Sequence, residues 1–298
     1  MRRTFMAVEL EVEIRAEEEK SPWLEFWKQF RRNRAAMAGL IILLALIIVA
    51  IFAPWIAPYN YTESNLPVSL KPPSFSHWLG TDELGRDILS RVIYGARISL
   101  RVGVEAVALS LLIGILLGAF AGYYGGWIDN VIMRLMDIML AFPPLLLAMA
   151  FMMALGRGLD NAIIAIGIVS IPEYARIVRG SVLSVRENDY VQAARAIGDN
   201  DLQIIGYHVL PNVMAPIIVR ATLGISAAIL EAAFLGFLGL GVQPPEAEWG
   251  AMLGSGRSAI FSAPHIVTFP GIAITITVLA FNLLGDGLRD ALDPRLKQ

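Results

Sequence analysis

The chain has 298 residues, of which 56% are hydrophobic, and its formal net charge is −2. A mean hydropathy of +0.61 excludes an ordinary soluble domain and predicts a lipid bilayer as the surroundings. The nearly balanced charge, without a basic stripe, gives no support for a nucleic-acid partner. Cysteine is absent, so disulfides, thiolate nucleophiles and cysteine-based zinc sites are excluded.

The N-terminal part of the chain predicts two different segments. Residues 1–21 contain a run of glutamates at 17–19 and predict a mobile acidic tail. Four aromatic residues then recur at helical spacing beside basic side chains: Trp23, Phe26, Trp27 and Phe30. This pattern predicts an amphipathic helix at the membrane interface over residues 22–34.

Six apolar segments follow, each long enough to cross a bilayer as a helix. A hydrocarbon core about 30 Å thick requires about 20 mostly apolar helical residues, and backbone groups in lipid must be satisfied within the segment. The six segments cover residues 38–56, 106–126, 138–155, 161–178, 213–235 and 266–284. The sequence therefore predicts an all-α polytopic membrane protein whose six-helix domain occupies residues 35–298.

The connection between the first two spans predicts an outer surface. Residues 81–97 place apolar side chains on one helical face and charged side chains opposite, which predicts a helix along the membrane boundary. Together with residues 243–265, this helix is expected to form an exposed outer surface. The alternative is that both segments only cover the outer mouth of the membrane domain.

The second span carries a stripe of small residues. Glycine recurs every fourth position at Gly114, Gly118, Gly122 and Gly126. Such a stripe allows two helix backbones to approach closely, so we expect it to be a helix-packing surface. Prolines in the other apolar segments predict kinks, either static or used in conformational switching: Pro143, Pro144, Pro172, Pro216 and Pro270.

Ionisable residues within the apolar segments are candidates for a route through the membrane, because a charge facing lipid is costly. The candidates are Glu105, Arg220 and Glu231. Glu231 is the preferred candidate of the three, and the alternative is that it serves as a buried structural hydrogen-bond partner. Two further pairs have a spacing of three residues and are expected to be local ion pairs: Arg134 with Asp137, and Glu173 with Arg176.

Residues 190–212 interrupt the apolar pattern and predict a helix-turn-helix. The apolar face of its first helix is assigned to Tyr190, Ala193, Ala194 and Ile197. Gly198 is expected to end this helix, and Asn200 with Gln203 predicts a capping box at the start of the next. The second helix is expected to end at Pro211. The segment is either a solvated connection or the binding site of a partner.

The distribution of basic residues predicts the orientation of the chain. Four of them crowd the start of the first span: Lys28, Arg31, Arg32 and Arg34. By the positive-inside rule they place the N-terminus in the cytoplasm, and six spans return the C-terminus there. The helix-turn-helix and the basic residues at the end of the chain, Arg289, Arg295 and Lys297, are then cytoplasmic too.

Residues 190–212 resemble the EAA loop of binding-protein-dependent ABC importer permeases. The matching positions are Ala193, Ala194, Gly198, Leu210 and Pro211, while Gln192 replaces a glutamate and His208 replaces a hydrophobic residue. Two further blocks and the ending FNLLGDGLRDALDPRLK are similar to the dipeptide/oligopeptide branch of that family. The blocks are GTDELGRDILSRVIYGARISL at 80–100 and EAAFLGFLGLGVQPPEAEWG at 231–250.

The resemblance implies the type I ABC importer permease fold and a multi-pass subunit of the bacterial inner membrane that moves dipeptides or oligopeptides by alternating access. It also implies a second homologous permease forming a heterodimer, two cytoplasmic ATP-binding subunits and an extracytoplasmic solute-binding protein. ATP and Mg²⁺ would be bound by those subunits, because no lysine in this chain follows a glycine as a Walker A motif requires. The chain itself is thus expected to be neither an enzyme nor the holder of a cofactor or metal.

The resemblance also gives candidate contact residues. Within a coupling loop at 180–212, those for an ATP-binding subunit are Gln192, Ala193, Ala194, Arg195, Gly198, Asp199, Asp201, Leu210 and Pro211. Those for the solute-binding protein are Arg86, Arg91, Gln243 and Trp249. Two alternatives stay open: the same architecture carrying nickel, glutathione or a sugar-derived solute, and an ion-coupled secondary transporter or channel.

Overall fold

The computed structural model describes residues 22–292, apart from the side chains of residues 22 and 23. Within this range the regular structure is helical, and the extended pairing is limited to one isolated bridge between Thr81 and Asp87. The predicted all-α fold is confirmed. The predicted acidic tail at 1–21, and Arg295 and Lys297, lie outside the described residues.

The first two helices meet at a capped junction. Helix α1 spans Pro22–Arg32 and α2 spans Arg34–Ile51, and the Asn33 side chain between them accepts a hydrogen bond of 3.1 Å from the Ala36 backbone nitrogen. Phe30 is buried against Ala36 and Ala291. The predicted helix at 22–34 is therefore present, and its aromatic face packs partly on the end of the last helix.

Five helices are long and apolar enough to cross a membrane. They are α2, Ile88–Tyr124 (α4), Leu159–Val185 (α7), Asp201–Phe237 (α9) and His265–Leu292 (α11). A short helix, Ala53–Ile56 (α3), follows α2 after a break at Phe52, so the predicted first span at 38–56 is divided. Helix α4 has 37 residues and a length of about 55 Å, so it extends well beyond a hydrocarbon core of about 30 Å.

The third predicted span, at residues 138–155, is broken. Helix α5 covers Gly126–Leu140 and α6 covers Pro144–Leu155, and the two are bent by 90°. The prediction of one continuous helix at 138–155 is therefore wrong. Proline has no backbone N–H and disfavours helical geometry in the residue before it, and Pro143, which precedes Pro144, is accordingly extended with ψ 128°.

The predicted boundary helix at 81–97 is also wrong. Its second half is the beginning of α4, and its first half is a turn that closes with the Thr81–Asp87 bridge. Asp87 caps α4 by accepting a hydrogen bond of 2.8 Å from the Ser90 backbone nitrogen. In residues 88–97 only Arg97 is exposed, so the protein covers the charged face of the pattern as well as the apolar face.

Helix α7 lies at the centre of the membrane domain, in contact with α4, α5, α6 and α9. The glycine stripe of α4 makes the contact with α4 close: a Cβ on Gly118 or Gly122 would lie 2.7 Å or 2.8 Å from the Cβ of Val178 or Val182. Packing through the stripe is confirmed as far as Gly122. Gly126 instead begins α5 with φ +54°, and a Cβ there would meet nothing within 4 Å. Helix α11 packs against α2 and α9.

Candidate coupling surface, membrane charges and outer face

The predicted helix-turn-helix is present. Helix α8 spans Asp189–Ala196, and Gly198 follows it with φ +98°, a left-handed conformation that glycine adopts without strain. Asn200 and Gln203 form the predicted capping box, in which each side chain accepts a bond from the other's backbone nitrogen, at 2.9 and 3.1 Å. The turn is therefore closed on both sides by local chemistry that the sequence specifies.

The face of α8 that packs on the protein differs from the prediction. The buried residues are Val191 and Ala194, which contact the apolar side of α9, whereas Tyr190 and Ile197 are 40% and 81% exposed. Apolar residues occur on two faces of α8, and only one of them packs within the chain. The exposed face continues across the turn to Leu202 of α9.

Pro211 is not a helix boundary. Helix α9 passes from Asp201–Gln203 through a π-helical segment, Ile204–Val209, and a 3-10 segment, Leu210–Val213, into the regular α-helix Met214–Phe237. The proline occupies the first turn of the 3-10 segment, where its missing N–H is tolerated because the hydrogen-bond register has just changed. The coupling loop and the fifth span thus share one helical element.

Tyr123 joins the predicted coupling loop to the last turn of α4. Its hydroxyl donates to Asp201 Oδ1 at 2.9 Å and accepts from Arg195 Nη2 at 3.2 Å. The guanidinium carbon of Arg195 also lies 5.6 Å from the centroid of the Tyr123 ring. Because Arg195 and Asp201 lie on either side of the turn, one tyrosine holds both halves. No sequence pattern indicated Tyr123, which is more than 70 residues away from each partner.

The other candidate residues of the loop are mostly accessible. Gln192 and Ala193 are exposed on α8, and Asp199 is partly exposed and pairs with His208, Oδ2 to Nε2 at 3.1 Å. His208, which replaces a hydrophobic residue of the EAA pattern, therefore links the turn to α9. Leu210 is half-buried. Ile197 and the neighbouring Leu202 and Tyr207 leave a largely exposed apolar surface on this side of the chain.

The charges within the membrane helices pair between helices. The two pairs predicted within single helices are wrong, namely Arg134–Asp137 and Glu173–Arg176. Arg176 of α7 donates to Asp137 of α5 at 2.5 Å. Glu173 of α7 pairs instead with Arg220 of α9. The packing of α5 and α9 on α7 brings these opposite charges together, which spacing along one helix does not reveal.

Of the three predicted route residues, Arg220 and Glu231 lie on the same helix. Glu231 Oε2 and Arg220 Nε are inaccessible to solvent and have no hydrogen-bond partner among the described residues. Between and beyond them, Ala227 and Phe234 are exposed on the same side of α9. Glu105 lies elsewhere, on α4, in a half-exposed ion pair with Arg101 at 2.8 Å. A role in transport stays a prediction for all three.

The predicted outer surface is largely buried. Arg86 donates to Asp82 at 2.7 Å, and Arg91 lies 3.6 Å from the same carboxylate. Trp249 is 1% exposed and donates from Nε1 to the Val92 carbonyl oxygen at 3.0 Å. The expectation of exposed side chains is therefore wrong for these two arginines and for the tryptophan, because both segments fold onto the beginning of α4 and bury their charges as pairs.

Other residues of this face are accessible. Gln243 is partly exposed and donates to the Gly239 and Gly241 carbonyl oxygens at 3.2 and 2.8 Å. Phe75 and Phe261 project almost entirely into solvent, and Trp78 is mostly exposed. Exposed aromatic side chains of this size commonly mark interaction surfaces.

Beside them, a short helix, Trp249–Gly256 (α10), is capped by a fully buried carboxylate. Glu248 accepts hydrogen bonds of 2.7 Å from the backbone nitrogens of Gly250 and Ala251. Burial raises the pKa of Glu248 to about 7, against the lowering effect of these two bonds. The end of α9 packs closely on this cap, because a Cβ on Gly236 would lie 2.8 Å from the Ala251 nitrogen.

Comparison with known families identifies this arrangement. Residues 114–298 match the family described as "Binding-protein-dependent transport system inner membrane component", and residues 21–73 match the N-terminal transmembrane domain of oligopeptide transport permease C. The chain belongs to the binding-protein-dependent permeases. The permease is therefore a multi-pass protein of the inner membrane and the membrane-spanning component of an ABC importer.

Curated relatives cover nearly the whole permease. It is 54% identical over 277 residues to the dipeptide transport system permease protein DppC of Alkalihalophilus pseudofirmus, covering 93% of this chain and 91% of that protein. It is 53% identical over 283 residues to the di/tripeptide permease DppC of Pseudomonas aeruginosa, with 93% of each chain covered. The glutathione permease GsiD of Escherichia coli O157:H7 is 51% identical over 288 residues, covering 95% and 94%.

Solved structures show the same fold. The inward-facing MetNI methionine ABC transporter superposes with a TM-score of 0.58 at 18% identity, covering 69% of the permease and 98% of the solved chain. An amino acid ABC transporter crystallised with histidines gives a TM-score of 0.52 at 17% identity, covering 67% and 94%. The predicted ABC importer permease fold is thereby confirmed.

Proposed function

We propose that the permease imports dipeptides and short oligopeptides across the bacterial cytoplasmic membrane. The observation that carries this proposal is the identity of 54% and 53% to relatives named for dipeptide and di/tripeptide transport, over 93% of the chain. Glutathione is the second candidate, because a glutathione permease is 51% identical over 95% of the chain. Glutathione is itself a tripeptide, so both candidates share peptide bonds, an α-ammonium group and terminal carboxylates.

The permease is proposed to form a heterodimer with a second, homologous permease. Glu173 and Arg220 are both partly exposed although they lie at membrane depth, and the Glu231 oxygen beside the same face of α9 has no partner among the described residues. A charged face of this kind is unstable against lipid. It becomes stable where a second subunit and an aqueous route cover it, which supports Glu231 and Arg220 as residues of the translocation route.

Two cytoplasmic ATP-binding subunits are proposed to drive the cycle through the coupling loop. The exposed apolar side chains Ile197, Leu202 and Tyr207 give a partner an accessible contact surface. Tyr123 and the buried pair Val191 and Ala194 connect this surface rigidly to α4 and α9. Movement of an attached ATP-binding subunit would therefore be transmitted to two membrane helices at once. Both termini lie in the cytoplasm in this proposal.

A solute-binding protein is proposed to deliver the peptide on the opposite side. The coupling loop includes the beginning of α9, whereas Gln243 and the exposed Phe261 follow the other end of that helix. The same polarity holds for α4, which begins near the outer loop and ends at Tyr123. Helices α4 and α9 thus each extend from the face proposed for the solute-binding protein to the face proposed for the ATP-binding subunits. This arrangement supports the transmission of conformational changes between the two partners.

Uptake by the complete complex in proteoliposomes tests the proposal. With the purified solute-binding protein present and ATP supplied to the ATP-binding subunits, we expect accumulation of a labelled dipeptide. Competition by unlabelled dipeptide and by glutathione separates the two candidate cargoes. Uptake by the permease alone, driven by an ion gradient without ATP, would refute the importer and support a secondary transporter.

A further inference from the structure

A cavity of about 250 Å³ opens on the face of the permease opposite the coupling loop. It lies between the end of α9, the loop that follows, α10 and the turn that precedes α4. Three arginines and one carboxylate supply its charges: Arg86, Arg91, Arg257 and Glu246. The cavity is well separated from the exposed face of α9 that carries Arg220.

Two of the three arginines are held rigidly. Arg86 is bound to Asp82 at 2.7 Å, and Arg91 lies 3.6 Å from Asp82 and donates to the Tyr61 carbonyl oxygen at 3.0 Å. Arg257 differs from both. It is exposed and has no hydrogen-bond or ion-pair partner within residues 22–292. With Asp82 and Glu246 counted, the cavity retains an excess of one positive charge, and that charge is accessible.

The size and rim of the cavity favour a protein side chain as the occupant. Sites for small molecules commonly have volumes of about 300–1,000 Å³, so a cavity of about 250 Å³ is small for a peptide with its own side chains. Phe237 and Leu238 line it and are 38% and 42% exposed. Arginine beside exposed aromatic and aliphatic groups is the composition of a protein interface.

We propose that this cavity receives an acidic side chain of the solute-binding protein. Arg257 forms the ion pair, while Arg86 and Arg91 offset the negative charges of Asp82 and Glu246, which would otherwise repel an acidic side chain. The inference rests on the proposed function, since it assigns a contact to the receptor in that model. It moves the docking role predicted for Arg86 and Arg91 from direct contact to electrostatic support, and assigns the contact to a residue that the sequence did not indicate.

The experiment uses the complete transporter in lipid nanodiscs and titrates it with purified, peptide-saturated solute-binding protein. The measured quantity is the receptor concentration that half-maximally stimulates ATP hydrolysis, at low and at high salt. In Arg257→Gln we expect this concentration to rise about fivefold at low salt, as for loss of one accessible ion pair. We also expect a weaker salt dependence than in the wild type. Arg257→Lys, which retains the charge, should recover most of the loss.

Arg97→Gln is the matched control. Arg97 is also exposed near the beginning of α4 and has no ion pair among the described residues, but it does not line this cavity. The proposal is overturned if Arg257→Gln has no effect, if Arg97→Gln has the same effect, or if only the KM for peptide changes at saturating receptor. The last result would mean that the cavity binds the substrate. Failure of any receptor to stimulate the wild-type complex would instead contradict the proposed function.

Discussion

Packing of α4 on α7 gives a prediction whose magnitude follows from the geometry. A Cβ added at Gly118 would lie 2.5 Å from the Ala175 carbonyl oxygen, 2.7 Å from the Val178 Cβ and 3.0 Å from the Arg179 nitrogen. Two of these atoms belong to the backbone of α7 and have no side-chain rotation to relieve the contact. The helices must therefore separate by about 0.7 to 0.9 Å to restore ordinary contact distances.

Gly180 provides the matched control for Gly118→Ala. It lies within α7, and a Cβ there would meet nothing within 4 Å. Both substitutions gain about 1 kcal/mol of helix propensity, but only Gly118→Ala incurs an overpacking cost of about 1–3 kcal/mol. We expect Gly118→Ala to lower the free energy of unfolding by up to about 2 kcal/mol, and Gly180→Ala to raise it by about 1 kcal/mol.

Reversible unfolding in mixed detergent micelles, followed by tryptophan fluorescence, measures the two free energies under identical conditions. Trp249 is buried, so its emission reports the loss of tertiary packing. Equal effects of the two substitutions would refute the steric argument, because helix propensity alone would then explain both. A stabilising effect of Gly118→Ala would refute the close approach of α4 and α7.

Three further predictions concern the coupling loop and the outer face. Gly198→Leu places a branched side chain at φ +98°, which costs about 1–3 kcal/mol. We expect this variant to insert into the membrane but to lose transport. Normal peptide uptake by the variant would contradict a transmitting role for the turn. Tyr123→Phe removes the hydrogen bonds to Arg195 and Asp201. The number of peptides taken up per ATP hydrolysed should therefore fall severalfold in an assembled complex. An unchanged ratio would show that the Tyr123 hydroxyl is dispensable. Because the pKa of Glu248 is raised from 4.5 to about 7, the folded state binds the proton of this carboxyl group more tightly than the unfolded state. The free energy of unfolding should therefore decline as pH rises between these two values. Glu248→Gln should lack that decline, and the same pH profile in the variant would contradict a raised pKa at Glu248.

Local features of the fold were predictable because they depend on residues near one another in the chain. Gly198 and the capping box of Asn200 and Gln203 satisfy backbone groups within a few residues, and the structure contains both. The glycine stripe at Gly114, Gly118 and Gly122 predicts close packing because it removes side chains from one face of α4. What the stripe does not specify is the partner, and the structure identifies α7.

Burial and charge pairing were not predictable in the same way. The sequence pattern predicts an exposed surface at Arg86, Arg91 and Trp249, yet the structure buries all three side chains. A spacing of three residues predicts an ion pair between Glu173 and Arg176, whereas in the structure each of the two pairs with a residue of another helix. Which of several helical faces is buried depends on the neighbouring helix, and that neighbour is remote in sequence.

Composition and periodicity predict that this protein crosses a membrane and that a helix-turn-helix interrupts its spans, while the motifs at 80–100, 190–212 and 231–250 carry the resemblance to the permease family. Helix packing adds that the third predicted span is bent by 90°, that Tyr123 contacts both halves of residues 190–212 and that Arg257 is accessible beside Arg86 and Arg91. These features depend on residues that lie far apart along the chain. Contacts between segments far apart in sequence arise when helices pack, and packing selects among faces and partners that local patterns leave equivalent.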